Sequence, residues 1–177
     1  MLVTAGGVKE IKLTYRLYGE KENGMSKLYI AYGSNLSVEQ MAYRCPGAKI
    51  AGIGELEDWR LAFGRHATIE PCRGSRVPVV VWMIDDKDER SLDRYEGCPK
   101  YYYKDELAVT ITDFEGENPI EVMGMVYIMT ELQKNGYPSA DYYYTIRASY
   151  EFFHFDTDML EKAVNESIER AFGRKGA

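Results

Sequence analysis

The chain has 177 residues, 45% hydrophobic and 28% charged, as in an ordinary globular domain that is long enough to bury a core. Its net charge of −6 argues against nucleic acid and against an anionic membrane surface, because both require a basic face. No apolar run approaches the roughly 20 residues of a membrane-spanning helix, and the first residues lack the pattern of a signal peptide.

The three cysteines, Cys45, Cys72 and Cys98, form an odd set without CxxC spacing. This pattern argues against a structural zinc site and against a disulfide framework, and it favours a reducing compartment. The two histidines are scattered and offer no metal-ligand spacing. We therefore expect a cytoplasmic protein with no metal site.

Residues 1–24 differ from the rest, since they form a polar, glycine-containing lead that ends directly before Met25. One interpretation is that translation begins at Met25 in the native host, because Lys21-Glu22 can be encoded by the ribosome-binding sequence AAGGAG. The other is that residues 11–18, in which apolar and polar side chains alternate, form an extra edge strand. In either case residues 25–177 form one domain.

The first predicted elements are a buried strand over residues 27–32 and a short helix over about 38–44. Ser37 and Gln40 have the spacing of a capping box at the start of this helix, and Pro46 ends it. Two further strands are predicted over 48–53 and 59–63, on either side of a break at Gly52 and Gly54.

Residues 69–76 resemble a loop, since they contain Pro71, Gly74 and three charges. The β-branched run 77–84 predicts a central strand with Pro78 at its start. A helix is then expected from Asp85 or Asp86 to about Glu96, where Gly97 supplies a left-handed stop.

The second half of the chain predicts a hairpin followed by two helices. Its strands span residues 101–112 and 120–129 around a turn at 113–119, and its helices run from Ser139 to about 151 and over 157–172. Strands with helices inserted between them indicate an α+β domain with a mixed or antiparallel sheet, curled into a small β-barrel with surrounding helices.

Glu96 occupies an unusual position for a carboxylate. The C-terminal end of a helix carries partial negative charge, which disfavours an anion there by a few tenths to about 1 kcal/mol. Glu96 is either a solvated surface residue or a carboxyl group whose pKa is raised toward the range useful for proton transfer.

A second candidate is the turn at Gly33-Ser34-Asn35, which follows an apolar strand. Glycine lets the backbone approach a ligand closely, and successive N–H groups can hold a negative charge. The ordinary alternative is a plain connection between a strand and a helix.

Other motifs are weaker. Gly52-Ile53-Gly54 begins like a dinucleotide fingerprint, but the third glycine is absent and no helical run follows. Ser34 as a nucleophile lacks a G-x-S-x-G elbow, and its possible bases, His66 and His154, have no motif around them. Cys98 is more typical of a buried thiol than of a nucleophile.

Taken together, residues 29–36 (Tyr-Ile-Ala-Tyr-Gly-Ser-Asn-Leu), the Tyr95-Glu96-Gly97 turn, the Tyr102 region and Pro138-Ser139-x-x-Tyr142 resemble the gamma-glutamylcyclotransferase-like family. The resemblance runs in order from about residue 26 to 155. It implies a small β-barrel that converts a gamma-glutamyl amide to 5-oxoproline and a free amine. In that reaction the α-amino group of the substrate attacks its own γ-carbonyl, so that neither a cofactor nor an enzyme nucleophile is needed.

The resemblance also implies roles for particular residues. Glu96 would be the general acid and base, and the backbone of residues 33–36 would bind the oxyanion or the α-carboxylate of the substrate. The implied substrate-binding residues are Tyr32, Gly33, Ser34, Asn35, Leu36, Tyr102 (or its neighbour Tyr103) and Tyr142. The expected partner is a small gamma-glutamyl molecule, bound by a monomer or a homodimer.

The sequence leaves two alternatives open. The chain could be a non-catalytic protein that uses the same pocket to bind a small carboxylate or amine. It could also perform a different amide-processing reaction on this fold, such as removing a gamma-glutamyl protecting group from a larger metabolite.

Overall fold

A computed structural model of the protein describes residues 27–131 and 135–173. The two interpretations of residues 1–24, a start at Met25 and a strand over 11–18, lie outside this range. The strands are β1 (Lys27–Ala31), β2 (Lys49–Phe63), β3 (Ala67–Ile84), β4 (Tyr102–Thr112) and β5 (Ile120–Met129). The α-helices are α1 (Val38–Arg44), α2 (Asp86–Glu96), α3 (Ala140–Phe152) and α4 (Thr157–Gly173), and a 3₁₀ turn spans Ser34–Leu36.

The sheet closes into a barrel in the order β1-β3-β2-β4-β5. Four of its pairings are antiparallel, whereas the closing pair, β1 with β5, is parallel. Ile30 of β1 therefore lies opposite Val81 on one side and Val126 on the other. The predicted α+β class, a small mixed barrel with surrounding helices, is confirmed.

The core follows from the apolar content of the strands. Residues 77–84 are all buried, as expected for a strand that has the barrel interior on one face and packed side chains on the other. Pro78 lies inside β3 and not at its start. Because β1 pairs with β3 only from Val80 onward, the missing N–H of this proline is tolerated.

Gly52 and Gly54 do not break the chain into two strands, as the sequence suggested, since β2 runs through both. A Cβ atom at Gly54 would lie 2.3 Å from the carbonyl oxygen of Thr110, and one at Gly52 would lie 2.6 Å from that of Thr112. These glycines therefore allow β4 to approach β2 closely, which the closure of the barrel requires.

The prediction of a loop over residues 69–76 is wrong, because they belong to β3 and extend its ladder with β2. Trp59 pairs with Pro71 and Glu57 with Arg76, so that residues 72–75 bulge outward opposite Asp58. The Asp58 carboxylate accepts a hydrogen bond of 2.7 Å from the Gly74 N–H. The glycine and the charges that suggested a loop therefore belong to a bulge within a two-stranded ribbon.

The helices lie close to their predicted bounds. The Ser37 hydroxyl caps α1 by accepting from the Gln40 N–H, but Gln40 Oε1 is buried without a partner among the described residues, so only half of the predicted capping box forms. In α2, Asp85 is the cap and forms a full capping box with Asp88. No helix in the described part of the chain is long and apolar enough to span a membrane.

Candidate active site

The turn after β1 brings backbone donors to the surface of a cavity. Its own hydrogen bonds use the N–H of Leu36, which donates to Gly33 at 3.0 Å, and the N–H of Ser37, which donates to Ser34 at 3.1 Å. The N–H groups of residues 33–35 are not used by these two bonds, as is usual at the start of a helical turn. Trp82 supports the turn from behind by donating from Nε1 to the Asn35 carbonyl at 3.1 Å.

Gly33 makes a close approach possible at this turn. A Cβ atom there would lie 3.1 Å from the Ala67 Cβ and 3.3 Å from the Tyr142 hydroxyl. The backbone φ of −115° is open to any residue, so the requirement for glycine is one of space and not of conformation. The turn therefore packs directly against the start of β3 and against α3.

Glu96 is the last residue of α2. Gly97, with φ of 63°, ends the helix in the left-handed conformation, and its N–H donates to the Asp93 carbonyl. The Asn35 side-chain amide donates to Glu96 Oε1 at 2.9 Å and also to the Tyr29 hydroxyl at 2.8 Å. One amide nitrogen thus joins the turn after β1 to the end of α2.

Burial raises the pKa of Glu96 from its ordinary 4.5 to about 7. The positive charge of Arg44 and the hydrogen bond from Asn35 act in the opposite direction, because both favour the ionised carboxylate, but burial has the larger effect. A carboxyl group with a pKa near neutrality can both accept and donate a proton at physiological pH.

Two tyrosines hold the first residue of β3 between them. The Tyr102 hydroxyl donates to the Ala67 carbonyl at 2.8 Å, and the Ala67 N–H donates to the Tyr142 hydroxyl at 3.2 Å. Burial raises the pKa of both tyrosines, that of Tyr142 to about 12, so both phenols are neutral donors at neutral pH. Tyr103 points outward and is 43% exposed.

These groups open into one cavity of about 310 Å³, within the range of roughly 300–1,000 Å³ of small-molecule sites. Its walls come from β1, the turn after it, the start of β3, the end of α2, both hairpin strands and α3. The residues that line it are Tyr29, Tyr32, Gly33, Ser34, Asn35, His66, Ala67, Tyr95, Glu96, Tyr101, Tyr102, Tyr127, Met129 and Tyr142.

Comparison with known proteins agrees with this geometry. The family model described as "Gamma-glutamyl cyclotransferase, AIG2-like" matches residues 29–144, which include every residue that lines the cavity. The chain belongs to this family. Residues 1–24 and α4 lie outside the matched region.

Individual relatives of the family are similar over much of the chain. The gamma-glutamylcyclotransferase of Bos taurus is 33% identical over 124 residues, which are 63% of this chain and 64% of that protein, a little under two thirds of its length. The gamma-glutamylcyclotransferase of Mus musculus is 31% identical over 133 residues, or 68% of each chain. A solved structure of a gamma-glutamyl cyclotransferase superposes with a TM-score of 0.67 at 30% identity, covering 78% of this chain and 86% of that chain.

The structure brings most of the sequence-predicted site residues together. Glu96, Tyr32, Gly33, Ser34, Asn35, Tyr102 and Tyr142 all line the cavity, whereas Leu36 does not. The Leu36 side chain is fully buried in the core, and its N–H already donates to Gly33. Of the two tyrosines between which the sequence left the register open, Tyr102 faces the cavity.

The sequence did not predict that Tyr29 and Tyr127 line the cavity, and it offered His66 only as a possible base for Ser34. Tyr29 and Tyr127 lie on strands that meet only through the closure of the barrel, and His66 comes from the tight connection between β2 and β3. The His66 ring packs edge-to-face on Tyr142 at 5.0 Å, and burial together with the charge of Arg65 lowers its pKa. The chain contains 15 tyrosines, and this composition is a general signal for an aromatic lining.

The weaker motifs do not form sites. Gly52 and Gly54 lie within β2 and not in a turn that could bind phosphates. The Ser34 hydroxyl accepts from Arg44 at 3.3 Å, and among the described residues it makes no hydrogen bond with a histidine. Within residues 27–131 and 135–173 no group of three metal-ligating side chains lies close enough together to bind a metal ion.

Proposed function

We propose that this protein converts a gamma-glutamyl amide, derived from an amino acid, an amine or a peptide, to 5-oxoproline and the free amine. The observation that carries this proposal is the placement of the Glu96 carboxyl and the amides of residues 33–35 around one cavity, with the pKa of that carboxyl raised to about 7. The family membership of the chain and the names of its relatives support the same reaction.

The proposed substrate is a small molecule that lies between the turn and Glu96. Its γ-carbonyl oxygen would face the N–H groups of residues 33–35, which would stabilise the negative charge that develops during attack. Oxyanion donors of this kind are worth about 10²–10³ in rate each. The hydroxyls of Tyr32, Tyr102 and Tyr142 would bind the polar groups of the glutamyl arm.

Glu96 would transfer one proton within the reaction. The neutral α-amino nitrogen attacks the γ-carbonyl carbon, and the new C–N bond leaves this nitrogen with an extra proton, which the Glu96 carboxylate accepts. The protonated Glu96 then donates that proton to the amide nitrogen, whose bond to the γ-carbon breaks. Glu96 ends the cycle ionised, as it began, and such proton transfer contributes about 10²–10⁴ in rate.

In the proposed reaction the nucleophile belongs to the substrate. Attack is intramolecular, so the protein has only to fold the glutamyl arm into a conformation that can close the ring. This suits a site in which Ser34 is held by Arg44 and in which no lining residue is a cysteine.

The test is the release of 5-oxoproline from a panel of gamma-glutamyl amino acids, amines and peptides, by wild-type protein and by Glu96→Gln. Wild type should release 5-oxoproline from at least one substrate, and Glu96→Gln should lose about 10²–10⁴ in kcat while remaining folded. A wild-type protein that is stabilised against heat by these compounds but releases no product would be a binder and not an enzyme. Free glutamate among the products, found by mass spectrometry, would point to a different amide-processing reaction.

A further inference from the structure

Arg44 lies just outside the cavity and joins its two principal walls. It is half-buried at the end of α1 and is not among the residues that line the cavity. Its guanidinium carbon lies 3.4 Å from the centre of the Tyr95 ring, beside Glu96. From Nη1 it donates to Asn35 Oδ1, and to the Ser34 hydroxyl at 3.3 Å.

These contacts determine which way the Asn35 amide faces. A guanidinium group has only donors, so the amide oxygen must be on the side of Arg44. The amide nitrogen is then on the opposite side, where it donates to Glu96 at 2.9 Å and to the Tyr29 hydroxyl at 2.8 Å. A flipped amide would place its NH₂ group against the guanidinium and its oxygen against the carboxylate, losing both interactions.

We infer that Arg44 is a positioning residue for Glu96, which it serves by fixing the orientation of the Asn35 amide that donates to the Glu96 carboxyl. The inference rests on the proposed function, because it matters for turnover only if Glu96 transfers the proton. Arg44 neither lines the cavity nor, in the proposed pose, contacts the substrate, so it would act only through other residues.

The geometry calls for arginine and not for lysine. The planar guanidinium lies over the Tyr95 ring while its Nη1 donates to both Asn35 and Ser34. A lysine ammonium carries the same charge but cannot stack in this way or present a rigid fork. Arg44→Lys therefore keeps the charge near Glu96 and removes the geometry.

The charge of Arg44 also acts on Glu96 directly, since it lowers the pKa that burial raises. The other titratable groups that face Glu96 are neutral near pH 7. Four tyrosine hydroxyls and one thiol surround Glu96, and burial raises the pKa of each: Tyr29, Tyr32, Tyr102, Tyr142 and Cys98. Burial also lowers the pKa of His66, which lines the same cavity.

The experiment compares Arg44→Met and Arg44→Lys with wild type. The matched control is Arg94→Met, which removes an exposed positive charge from the last turn of α2. One readout is the pH profile of kcat/KM for the substrate that wild type turns over best. The second is the titration of the Glu96 carboxyl by ¹³C NMR of glutamate-labelled protein, in which Glu96→Gln identifies the signal. This second readout does not depend on turnover.

In Arg44→Met, we expect the Glu96 titration and the acid limb of the pH profile to move to higher pH, and kcat/KM at its optimum to fall about 10- to 10²-fold. In Arg44→Lys, Glu96 should titrate close to its wild-type pH, but kcat/KM should fall almost as far as in Arg44→Met. Arg94→Met should match wild type in both readouts.

A folded Arg44→Met protein with an unchanged Glu96 titration and pH profile would overturn the inference. Wild-type kcat/KM in Arg44→Lys would also overturn it. If the methionine variant does not fold, the lysine variant alone decides the test. Failure of the proposed function is a different result, namely no product from wild type on any substrate, and it leaves the NMR titration to decide whether Arg44 acts on Glu96.

Discussion

The two halves of α2 hold glutamates in opposite electrostatic settings. Glu89 forms ion pairs with both Lys27 and Lys104, and hydrogen bonds from these ammonium groups lower its pKa. Glu96, seven residues later, makes no ion pair with any described residue, and burial raises its pKa to about 7. The same side chain on the same helix is therefore an anchor at one position and, in the proposed function, the proton carrier at the other.

The difference between these glutamates reflects the contacts that fix the position of α2. Lys104 also forms an ion pair of 2.7 Å with Asp93, which accepts a further hydrogen bond of 2.6 Å from the Tyr127 hydroxyl. These contacts hold α2 against β1, β4 and β5. An anchored helix can present Glu96 without an ion pair, because its position does not depend on pairing that carboxylate.

Exchange of each glutamate for glutamine should separate the two roles most strongly. Glu96→Gln should reduce kcat for 5-oxoproline release by about 10²–10⁴, since it removes the group that carries the proton. Glu89→Gln should keep kcat within a few-fold of wild type, because its carboxylate lies in the ion pairs and not in the cavity. An inactive but folded Glu89→Gln protein would mean that both halves of the helix take part in turnover.

The two glutamates should also give stability opposite dependences on pH. The folded pKa of Glu96 lies above its unfolded value near 4.5, so its burial costs nothing at low pH and destabilises the fold as pH rises through 7. Its ionisation should cost about 3 kcal/mol above pH 7, at roughly 1.4 kcal/mol per pKa unit.

Glu96→Gln should therefore be more stable than wild type at pH 8 by up to about 3 kcal/mol, and equal to it near pH 4. Urea unfolding at both pH values measures the difference. An equal difference at the two pH values would show that the effect comes from packing and not from ionisation.

At the other half of the helix, Lys104→Met should lower the free energy of unfolding by about 1–2 kcal/mol at neutral pH, between the values of exposed and buried ion pairs. The pKa of Glu89 is lowered in the fold, so its contribution is present above its unfolded pKa and is lost as pH falls through the folded value. The loss in Lys104→Met should therefore shrink at acid pH. A loss that is the same at pH 3 and pH 7 would argue against the ion pairs.

The smallest expected effect tests β4, whose Tyr102 faces the cavity while Lys104 pairs with Glu89. Tyr102→Phe removes the hydrogen bond to the Ala67 carbonyl and should cost about 1 kcal/mol of stability together with part of the activity. Tyr103→Phe is the matched control, because Tyr103 is exposed and should behave like wild type in both assays. If the two variants were indistinguishable, Tyr102 would have no role in the site.

Local signals allowed much of the site to be predicted from the sequence. Glu96 was found because the acidic cap of α2 and Gly97 fix both ends of that helix within a few residues. The turn at residues 33–35 was found because it directly follows an apolar strand. In both cases the decisive interactions are made by near neighbours along the chain.

The rest of the site depends on contacts between distant parts of the chain. Tyr127 reaches the cavity only because β5 pairs with β1, and no local pattern predicts that register. Arg44 is a basic residue in the last turn of α1, a favourable and common placement, and only the tertiary fold brings it onto Tyr95 of another helix. The loop predicted over 69–76 failed for a related reason, since pairing with β2 overrode the local preference of Pro71 and Gly74.

The parallel pairing of β1 with β5 has a consequence for the protein during its synthesis. The cavity takes walls from Tyr29 near one end of the matched region and from Tyr142 near the other. A nascent chain that ends before β4 can form the long β2–β3 ribbon, but it still lacks β4, β5 and α3 and so has no complete cavity. The cavity is therefore complete only when α3 has emerged, and a ligand that needs all of its walls would bind only after the barrel has closed.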